Sequence, residues 1–394
     1  MKVLFTGFYF DGFHGSMMHI CEISDYLNSI GYECFCASVV IENDIKDYAL
    51  TKGLHVFNVN DLPVDIEYDI VWSYHFPILA TLLFRGLKYK KVHVGSLSSW
   101  VNLEVLPPYY KDCSLCSVLT KEAKKIFNEK YGFKEECLKI IPNFLPKRFM
   151  EQKVVNKSLK NIIVVSNHPP KEILELKKIL TDVCVDVYGV SGDKYTPITP
   201  EILKRYDVVI TIGKTVQYAL GMGIPVYEYD YFGGGGYINL QNYEKFEEFN
   251  YSGRASKRKL SSKEIANELV DNYKNALDDV DELRKIAIER YSLEKNVDNI
   301  LKVLSLSPDV KIDLNKYSRF IVYSAELLTD YCHKLNMISY LKNENSVLQK
   351  ELSTLSLINF WKRIKYPKFI CNIICCFIFK KKNRHHFRSK HSIR

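Results

Sequence analysis

The residues best suited to chemistry lie in the segment VVITIGKTVQYALGMGIPVYEYDYFGGGGY, where a glycine turn separates two apolar runs. The run Val208–Ile212 predicts a strand, and the residues after it predict a helix. Gly213 makes the turn, so Lys214 and Thr215 lie where the helix begins, and free amides there bind anions. The letters GKT do not make an ATP-binding P-loop, because that motif requires glycine at the position of Val208. The segment therefore predicts an anion site at Gly213, Lys214 and Thr215.

A run of four glycines follows the next apolar strand: Gly233, Gly234, Gly235 and Gly236. Glycine adopts backbone conformations that other residues avoid, so the run predicts a mobile loop that closes over a sugar or a phosphate. A plain flexible turn is the alternative. Asp230 lies at the base of this loop, where its carboxylate is suited to bind sugar hydroxyls or to accept a proton.

The loop after the first predicted strand, GFYFDGFHGSMMH, offers a second ligand site. A helix is predicted to begin at Ser16, directly after Gly15, and its free amides would bind an anion. The spacing is not the GxGxxG of dinucleotide-binding proteins, which argues against a dehydrogenase. Gly15 and Ser16 are therefore candidate ligand contacts, and Asp11 is a candidate general base. A glycine turn without a ligand is the alternative.

Two further strand ends carry reactive side chains. His75 ends the run DIVWSYH, and ligands of parallel sheets bind beyond the carboxyl ends of the strands, where an imidazole can act as a general base. A structural role for His75 is the alternative. In VVSNHPPKE a strand ends near His168 and a helix begins near Pro170. Lys171 then lies beside the positive end of that helix, where it would bind a diphosphate unless it faces solvent.

Composition is that of an ordinary globular protein. The chain has 394 residues, 47% hydrophobic and 26% charged, a size typical of two or three domains. Residues 360–394 contain eleven of the 55 Lys and Arg residues and no Asp or Glu. The rest of the chain contains the other 44 Lys and Arg residues and all 46 acidic residues. A near-neutral body argues against nucleic-acid binding, and the basic, aromatic end predicts contact with an anionic membrane surface. A disordered basic tail is the alternative.

The cysteine pattern and the chain ends point to the cytoplasm. The eleven cysteines are scattered, which is typical of reduced thiols, and we find no signal-peptide pattern. Cys113 and Cys116 form a CxxC without a second pair nearby, so no metal or other cofactor is expected. The longest apolar run, Phe369–Phe379, is too short to span a membrane. We therefore expect peripheral association with the inner face of the cell membrane.

Short apolar runs alternate with amphipathic helical stretches, a pattern typical of parallel sheets covered on both faces. The alternation breaks near IIPNFLP and then resumes, which predicts an α/β protein with two Rossmann-like, doubly wound domains at 1–147 and 148–305. A helical segment at 306–359 has apolar residues at heptad spacing, so it would pack on its own domain or form a homodimeric coiled coil. The basic amphipathic tail occupies 360–394.

Four segments together resemble the GT-B-fold glycosyltransferases, over roughly residues 1–305. HGSMMHICEISDYLNSIGYE is similar to their opening glycine turn and helix, and TKEAKKIFNEKYGFKEECLKIIPNFLP to the last helix and linker of their first domain. YALGMGIPV is similar to the helix and strand of their donor domain, and AIERYSLEKNVDNILKVL to their closing helices. The stretch GKTVQYALGMGIPVYEYDYFGGGGY is similar to a subgroup found among bacterial surface-polysaccharide transferases.

The resemblance implies that the second domain binds a nucleotide-sugar and the first binds a glycan or lipid-linked acceptor, across a cleft. The anion site described above would bind the diphosphate. Large retaining families carry two Glu eight residues apart in this region, and one of them binds the ribose. This chain has Ile210 and Tyr218 at those positions, so Tyr218 or Gln217 would bind the ribose instead. The implied activity is glycosyl transfer in O-antigen or capsule synthesis. A nucleotide-sugar epimerase or hydrolase, and an inactive scaffold acting through the helical segment, are the alternatives.

Overall fold

The computed structural model describes residues 1–154 and 156–363. Met1–Leu328 form one compact unit, and Thr329 begins a second. The strands are β1 Lys2–Thr6, β2 Tyr9–Phe10, β3 Glu33–Ser38, β4 Val40–Ile41, β5 Leu54–Asn58, β6 Glu67–Ser73, β7 Lys88–Ser96, β8 Leu115–Val118, β9 Lys139–Ile140, β10 Asn161–Val165, β11 Cys184–Tyr188, β12 Val208–Thr211, β13 Val226–Asp230 and β14 Gly233–Tyr237. The helices are α1 Gly15–Ser29, α2 Asn43–Thr51, α3 Phe76–Phe84, α4 Lys121–Tyr131, α5 Lys171–Leu174, α6 Leu176–Ile179, α7 Pro200–Leu203, α8 Lys214–Gly221, α9 Tyr243–Glu247, α10 Ser262–Asp271, α11 Tyr273–Asp278, α12 Val280–Tyr291, α13 Leu293–Leu306 and α14 Ser318–Arg363.

Seven strands form a parallel sheet in the order β5-β3-β1-β6-β7-β8-β9. Both faces of the sheet are covered: on β1, Val3 and Phe5 enter the main apolar core, and Leu4 between them is equally buried. Parallel strands are expected to be covered in this way, because their crossover helices lie on both sides. We call this sheet and the elements around it the first lobe.

Five strands form a second sheet in the order β11-β10-β12-β13-β14, in which only β14 is antiparallel to its neighbour. Alternate residues of β12 enter opposite cores, Val209 on one face and Val208 and Ile210 on the other. We call this sheet and its helices the second lobe. The prediction of two Rossmann-like, doubly wound halves is confirmed.

The prediction of a mobile loop at the glycine run is wrong, because Gly233–Tyr237 forms the edge strand β14. A Cβ atom on Gly234 would overlap the carbonyl oxygen of Glu228, and one on Gly235 would overlap the ring of Phe246. Close packing of this strand against its neighbours therefore explains the glycines at these positions, and a loop closing over a ligand does not.

The chain crosses between the lobes twice, and the two crossings run side by side. The amide of Leu145 donates to the Tyr291 carbonyl (2.7 Å), and the amide of Leu293 donates to the Leu145 carbonyl (2.9 Å). After the second crossing, α13 packs in the core of the first lobe through Val297 and Ile300. The predicted second domain extends to residue 305, but α13 belongs to the first lobe instead. The sequence does not distinguish the two, because the apolar stripe of α13 would fit either lobe.

Of the helical segment predicted at 306–359, the part from Ser318 onward belongs to one helix, α14, and residues 308–317 are not helical. Within the part of the chain that the structure describes, no helix is long and apolar enough to cross a membrane. The tail predicted at 360–394 lies, beyond Arg363, outside the described residues.

Candidate active site

A cavity of about 640 Å³ lies between the lobes at the carboxyl edge of the second sheet. The residues at the ends of β10, β11, β12 and β13 line it, and the first lobe contributes Phe13, Gly15 and Met18. Open α/β sheets bind their ligands at this edge, and the volume suits a small organic ligand. We call it the interlobe cavity. Six of the residues singled out from sequence line it: Gly15, His168, Lys214, Thr215, Tyr218 and Asp230.

The N-terminus of α8 borders this cavity. Gly213, with φ of 61°, makes the turn before the helix, a conformation that favours glycine. Among the described residues, none accepts a hydrogen bond from the backbone amide of Lys214 or Thr215. Unpaired amides and the positive end of the helix favour an anion at this place.

The side chain of Lys214 is buried and paired across the lobes. Its Nζ lies 2.7 Å from Oε2 of Glu22, which belongs to α1 of the first lobe. The other oxygen of Glu22 accepts a hydrogen bond from the Tyr218 hydroxyl (2.6 Å) and contacts Arg148. Burial lowers the pKa of Lys214, and the Glu22 carboxylate opposes that shift. Arg148 also lies 4.0 Å from the carboxylate of Asp25, which pairs with Lys52. Three cations thus accompany two carboxylates, so this Glu22 cluster keeps a net positive charge beside the cavity.

Sequence reasoning missed Glu22 and Arg148. The available signal was an acidic residue on the buried face of α1: Glu22 follows Gly15 by seven residues and Met18 by four, so the three share one helix face. A carboxylate buried among apolar neighbours needs a cationic partner, because an unpaired buried charge is costly. The identity of that partner depends on contacts between the lobes, which the sequence does not reveal.

The two side chains predicted to bind a ribose are engaged elsewhere. The ring of Tyr218 stacks on Phe149, with 4.1 Å between centroids, and its hydroxyl is held by Glu22. Gln217 is buried, and with its side-chain amide assigned the orientation that satisfies its neighbours, the nitrogen donates to the carbonyl oxygens of Gly213 and Lys214, each at 2.9 Å. Gln217 is therefore bound to its own helix and, contrary to the prediction, does not line the cavity.

Asp230 brings a buried carboxylate to the interlobe cavity. Its Oδ2 accepts a hydrogen bond from the Ser166 hydroxyl (3.0 Å), and its Oδ1 accepts one from the amide of Tyr231 (2.8 Å). Burial raises the pKa of Asp230, and these two hydrogen bonds oppose the shift. The remaining acceptor capacity of the carboxylate suits sugar hydroxyls.

His14, just before α1, links the lobes through Asn167, which lines the cavity. Its Nδ1 lies 3.0 Å from Nδ2 of Asn167, and its Nε2 lies 3.5 Å from Oδ1 of Asp11. Because the Asn167 amide nitrogen donates, Nδ1 accepts and the ring proton is assigned to Nε2, facing the carboxylate. Asp11 itself does not line the cavity. The structure therefore corrects its predicted role from a base to a residue that orients His14.

His75 is buried away from the cavity, so its predicted role as a general base is wrong. Its Nδ1 accepts a hydrogen bond from the amide of Phe8 (2.9 Å), and its Nε2 lies 3.8 Å from Oε1 of Glu104. Burial lowers the pKa of His75 to about 4 and raises that of Glu104 to about 8. The neutral imidazole has its only free lone pair engaged by the backbone, so it holds the loop after β1 in place.

Several other predicted contacts lie outside the cavity. Lys171 is the first residue of the single-turn helix α5, and its side chain points to solvent. The side chain is 88% exposed and pairs with Glu175 (3.5 Å). The following residues do not line the cavity either: Ser16, Gly213, Gly233, Gly234, Gly235 and Gly236. In the described ranges, no three His, Cys, Asp or Glu side chains are placed to hold a metal ion.

Solved structures share this architecture. S. aureus TarM, solved with Fondaparinux, alpha-GlcNAc-glycerol and UDP, is 10% identical to this chain, with a TM-score of 0.53 over 77% of this chain and 99% of that one. The chain has the GT-B fold. Two further similar structures are a glycosyltransferase of Rickettsia africae ESF-5 (13% identity, TM-score 0.49, 78% and 99% covered) and the pneumococcal O-GlcNAc transferase GtfA with UDP and GlcNAc (10%, 0.49, 77% and 98%). No family model and no curated protein sequence matches the chain.

Proposed function

We propose that this chain is a glycosyltransferase that moves a sugar from a nucleotide-sugar to a hydroxyl of a glycan or lipid-linked acceptor in bacterial surface-polysaccharide synthesis. One observation carries the proposal. The interlobe cavity of this GT-B fold combines the α8 N-terminus and Lys214 with the buried carboxylate of Asp230. The first pair suits a diphosphate, and the carboxylate suits sugar hydroxyls.

Departure of the diphosphate is the step that α8 would assist. Negative charge grows on the departing oxygen as its bond to the anomeric carbon breaks. The amides of Lys214 and Thr215 and the Lys214 ammonium are held in place beforehand, so they stabilise that charge without reorganising. Such donors bind the transition state more tightly than the intact nucleotide-sugar, which is what accelerates the reaction.

The acceptor hydroxyl loses a proton as its oxygen bonds to the anomeric carbon. We assign that proton to Nδ1 of His14, which contacts the cavity residue Asn167, because the carboxylate of Asp11 faces the other ring nitrogen and stabilises the imidazolium that forms. Asn167 donates to this Nδ1, so the acceptor hydroxyl must take the place of that amide. Asp230 would hold sugar hydroxyls from the opposite lobe.

A thermal-shift screen of the full chain against a panel of sugar nucleotides tests the proposal. A ligand present at 100 times its Kd, and binding only the folded state, adds about 2.7 kcal/mol of stability. The matching donor should therefore raise the melting temperature clearly above that of the unmatched sugar nucleotides. No shift with any member of the panel contradicts the proposal.

The same donor then separates transfer from the alternative reactions. Incubation with acceptor glycans should release the nucleoside diphosphate only when an acceptor is present, and His14→Ala should abolish that release while it keeps the thermal shift. Release without an acceptor indicates a hydrolase, and interconversion of the sugar nucleotide indicates an epimerase.

We propose further that the tail at 360–394 holds the protein on the inner face of the cell membrane. The support is its eleven Lys and Arg residues without an acidic residue, interleaved with aromatic side chains. The full chain should sediment with vesicles rich in anionic lipid, and a chain ending at Asn359 should stay in solution. Equal sedimentation of the two chains contradicts this proposal, and light scattering of both reports whether the helical segment dimerises.

A further inference from the structure

A second cavity, of about 840 Å³, opens between the lobes and shares Tyr231 and Phe232 with the interlobe cavity. Its wall in the first lobe comes from Trp100 and α4, and its wall in the second lobe comes from the segment 248–259. The two cavities therefore adjoin at one pair of aromatic side chains. We call the second one the α4 groove.

The α4 groove presents aromatic side chains that a folded protein normally buries. Trp100 is 64% exposed, Tyr231 is 67% exposed and Phe232 is 47% exposed. The Tyr231 and Phe232 rings lie edge to face at 5.4 Å between centroids. Exposed aromatic clusters mark binding surfaces, and the apolar C–H faces of sugar rings stack on such rings.

The groove is also cationic. Each of its three carboxylates has a cationic partner: Glu122 binds Arg254 through both oxygens (3.1 and 2.5 Å), Glu248 binds Lys121 (2.8 Å), and Glu129 lies 3.8 Å from Lys125. Two further lining cations, Lys257 and Lys259, have no carboxylate partner among the described residues. The groove therefore carries two positive charges that an anionic ligand would neutralise.

These cations lie close to the exposed rings. The Arg254 guanidinium lies 5.6 Å from the Trp100 ring centroid and 5.8 Å from that of Phe232. The ammonium of Lys259 lies 5.2 Å from the Tyr231 centroid. A ligand with both a flat apolar face and a negative group could therefore stack on the rings and pair with the cations at the same time.

The segment that carries the two unpaired lysines is held in a strained conformation. Within the described residues, the non-glycine residues with positive φ are Asn250 (56°), Tyr251 (48°) and Lys257 (53°), all in this segment. The buried carboxylate of Glu228 accepts hydrogen bonds from the amides of Gly253 (2.9 Å) and Gly235 (3.0 Å), which anchors the segment to β13 and β14. Strain that the surroundings maintain in this way is typical of functional sites.

We infer that the α4 groove binds an acidic saccharide as the acceptor, with sugar rings on Trp100, Tyr231 and Phe232 and the negative groups on Lys257 and Lys259. This inference rests on the proposed glycosyl transfer and names the acceptor class. The shared aromatic pair then puts the end of the saccharide beside the interlobe cavity, where the donor sugar would lie.

Calorimetric titration of the full chain with three probes of similar length tests the inference: hexagalacturonate, maltohexaose and a hexamer of thymidylate. Hexagalacturonate should bind at least tenfold more tightly than maltohexaose. The double variant Lys257→Ala/Lys259→Ala should lose that preference, whereas Trp100→Ala should weaken the binding of both saccharides. The matched control, Lys171→Ala/Lys178→Ala, removes the same charge from exposed positions outside the groove and should bind as the wild type does.

Equal binding of the acidic and neutral saccharides overturns the inference, and so does thymidylate binding as tight as that of hexagalacturonate, because the groove would then be a general anion site. The sugar-nucleotide thermal shift of the same variants keeps the two proposals separate. A donor shift without saccharide binding refutes the acidic acceptor and leaves glycosyl transfer standing. Saccharide binding that depends on the lysines, without a shift from any donor, supports the groove and refutes the transfer.

Discussion

Replacing Lys214 with alanine should lower turnover by roughly 10²–10³-fold, the loss typical for one preorganised donor to a developing negative charge. The substitution removes the cation beside the α8 N-terminus and leaves the amides of residues 214 and 215 in place. Donor affinity should fall with turnover, because the diphosphate is present in both the bound donor and the transition state. Steady-state kinetics and thermal shift with the matched sugar nucleotide measure the two effects.

Lys171 provides the control for this variant. Both residues are lysines in the first turn of a second-lobe helix, yet the Lys171 side chain is 88% exposed and that of Lys214 is 7% exposed. Lys171→Ala should keep wild-type kinetics. Circular dichroism must show that Lys214→Ala is folded, because the change leaves Glu22 buried beside Arg148 and Tyr218. A folded Lys214→Ala protein with a wild-type donor titration would remove the phosphate-binding role of this residue.

The contrast between these lysines shows what the sequence could and could not predict. Strand ends followed by a glycine turn identified Gly213 and the start of α8, since turn chemistry is local. The same local logic singled out Lys171, whose helix has a single turn and directs the side chain into solvent. Whether a helix end borders a cavity depends on the position of the other lobe, which local sequence does not encode.

The errors at His75 and the glycine run have related causes. A histidine at a strand end is suited to catalysis, but the amide that occupies its Nδ1 belongs to Phe8, 67 residues away. The four glycines suggested freedom of movement, whereas their neighbours Glu228 and Phe246 leave no space for a side chain. In both places a contact distant in sequence decides the role of the residue.

Glu22 is the second residue whose replacement should have a large effect. Glu22→Gln should lower the free energy of unfolding by about 3–5 kcal/mol, because it leaves the buried Lys214 ammonium without its counter-ion. The isosteric amide keeps the volume, so the loss reports the charge and its hydrogen bonds. Urea denaturation followed by fluorescence measures it, and unchanged m-values would show that the unfolded state is not the cause.

Asp25, one helical turn further along α1, is the matched control. Its carboxylate pairs with Lys52 at 3.1 Å and lies 4.0 Å from Arg148, but it is 42% exposed, so Asp25→Asn should cost only about 0–1 kcal/mol. A double-mutant cycle of Glu22→Met with Lys214→Met isolates the pair, and the double variant should recover much of the stability that either single variant loses. Additive losses would mean that Glu22 acts through Arg148 and Tyr218 instead. Coupling across the pair would make α1 of the first lobe a support for the anion site of the second, so that the donor site depends on both lobes.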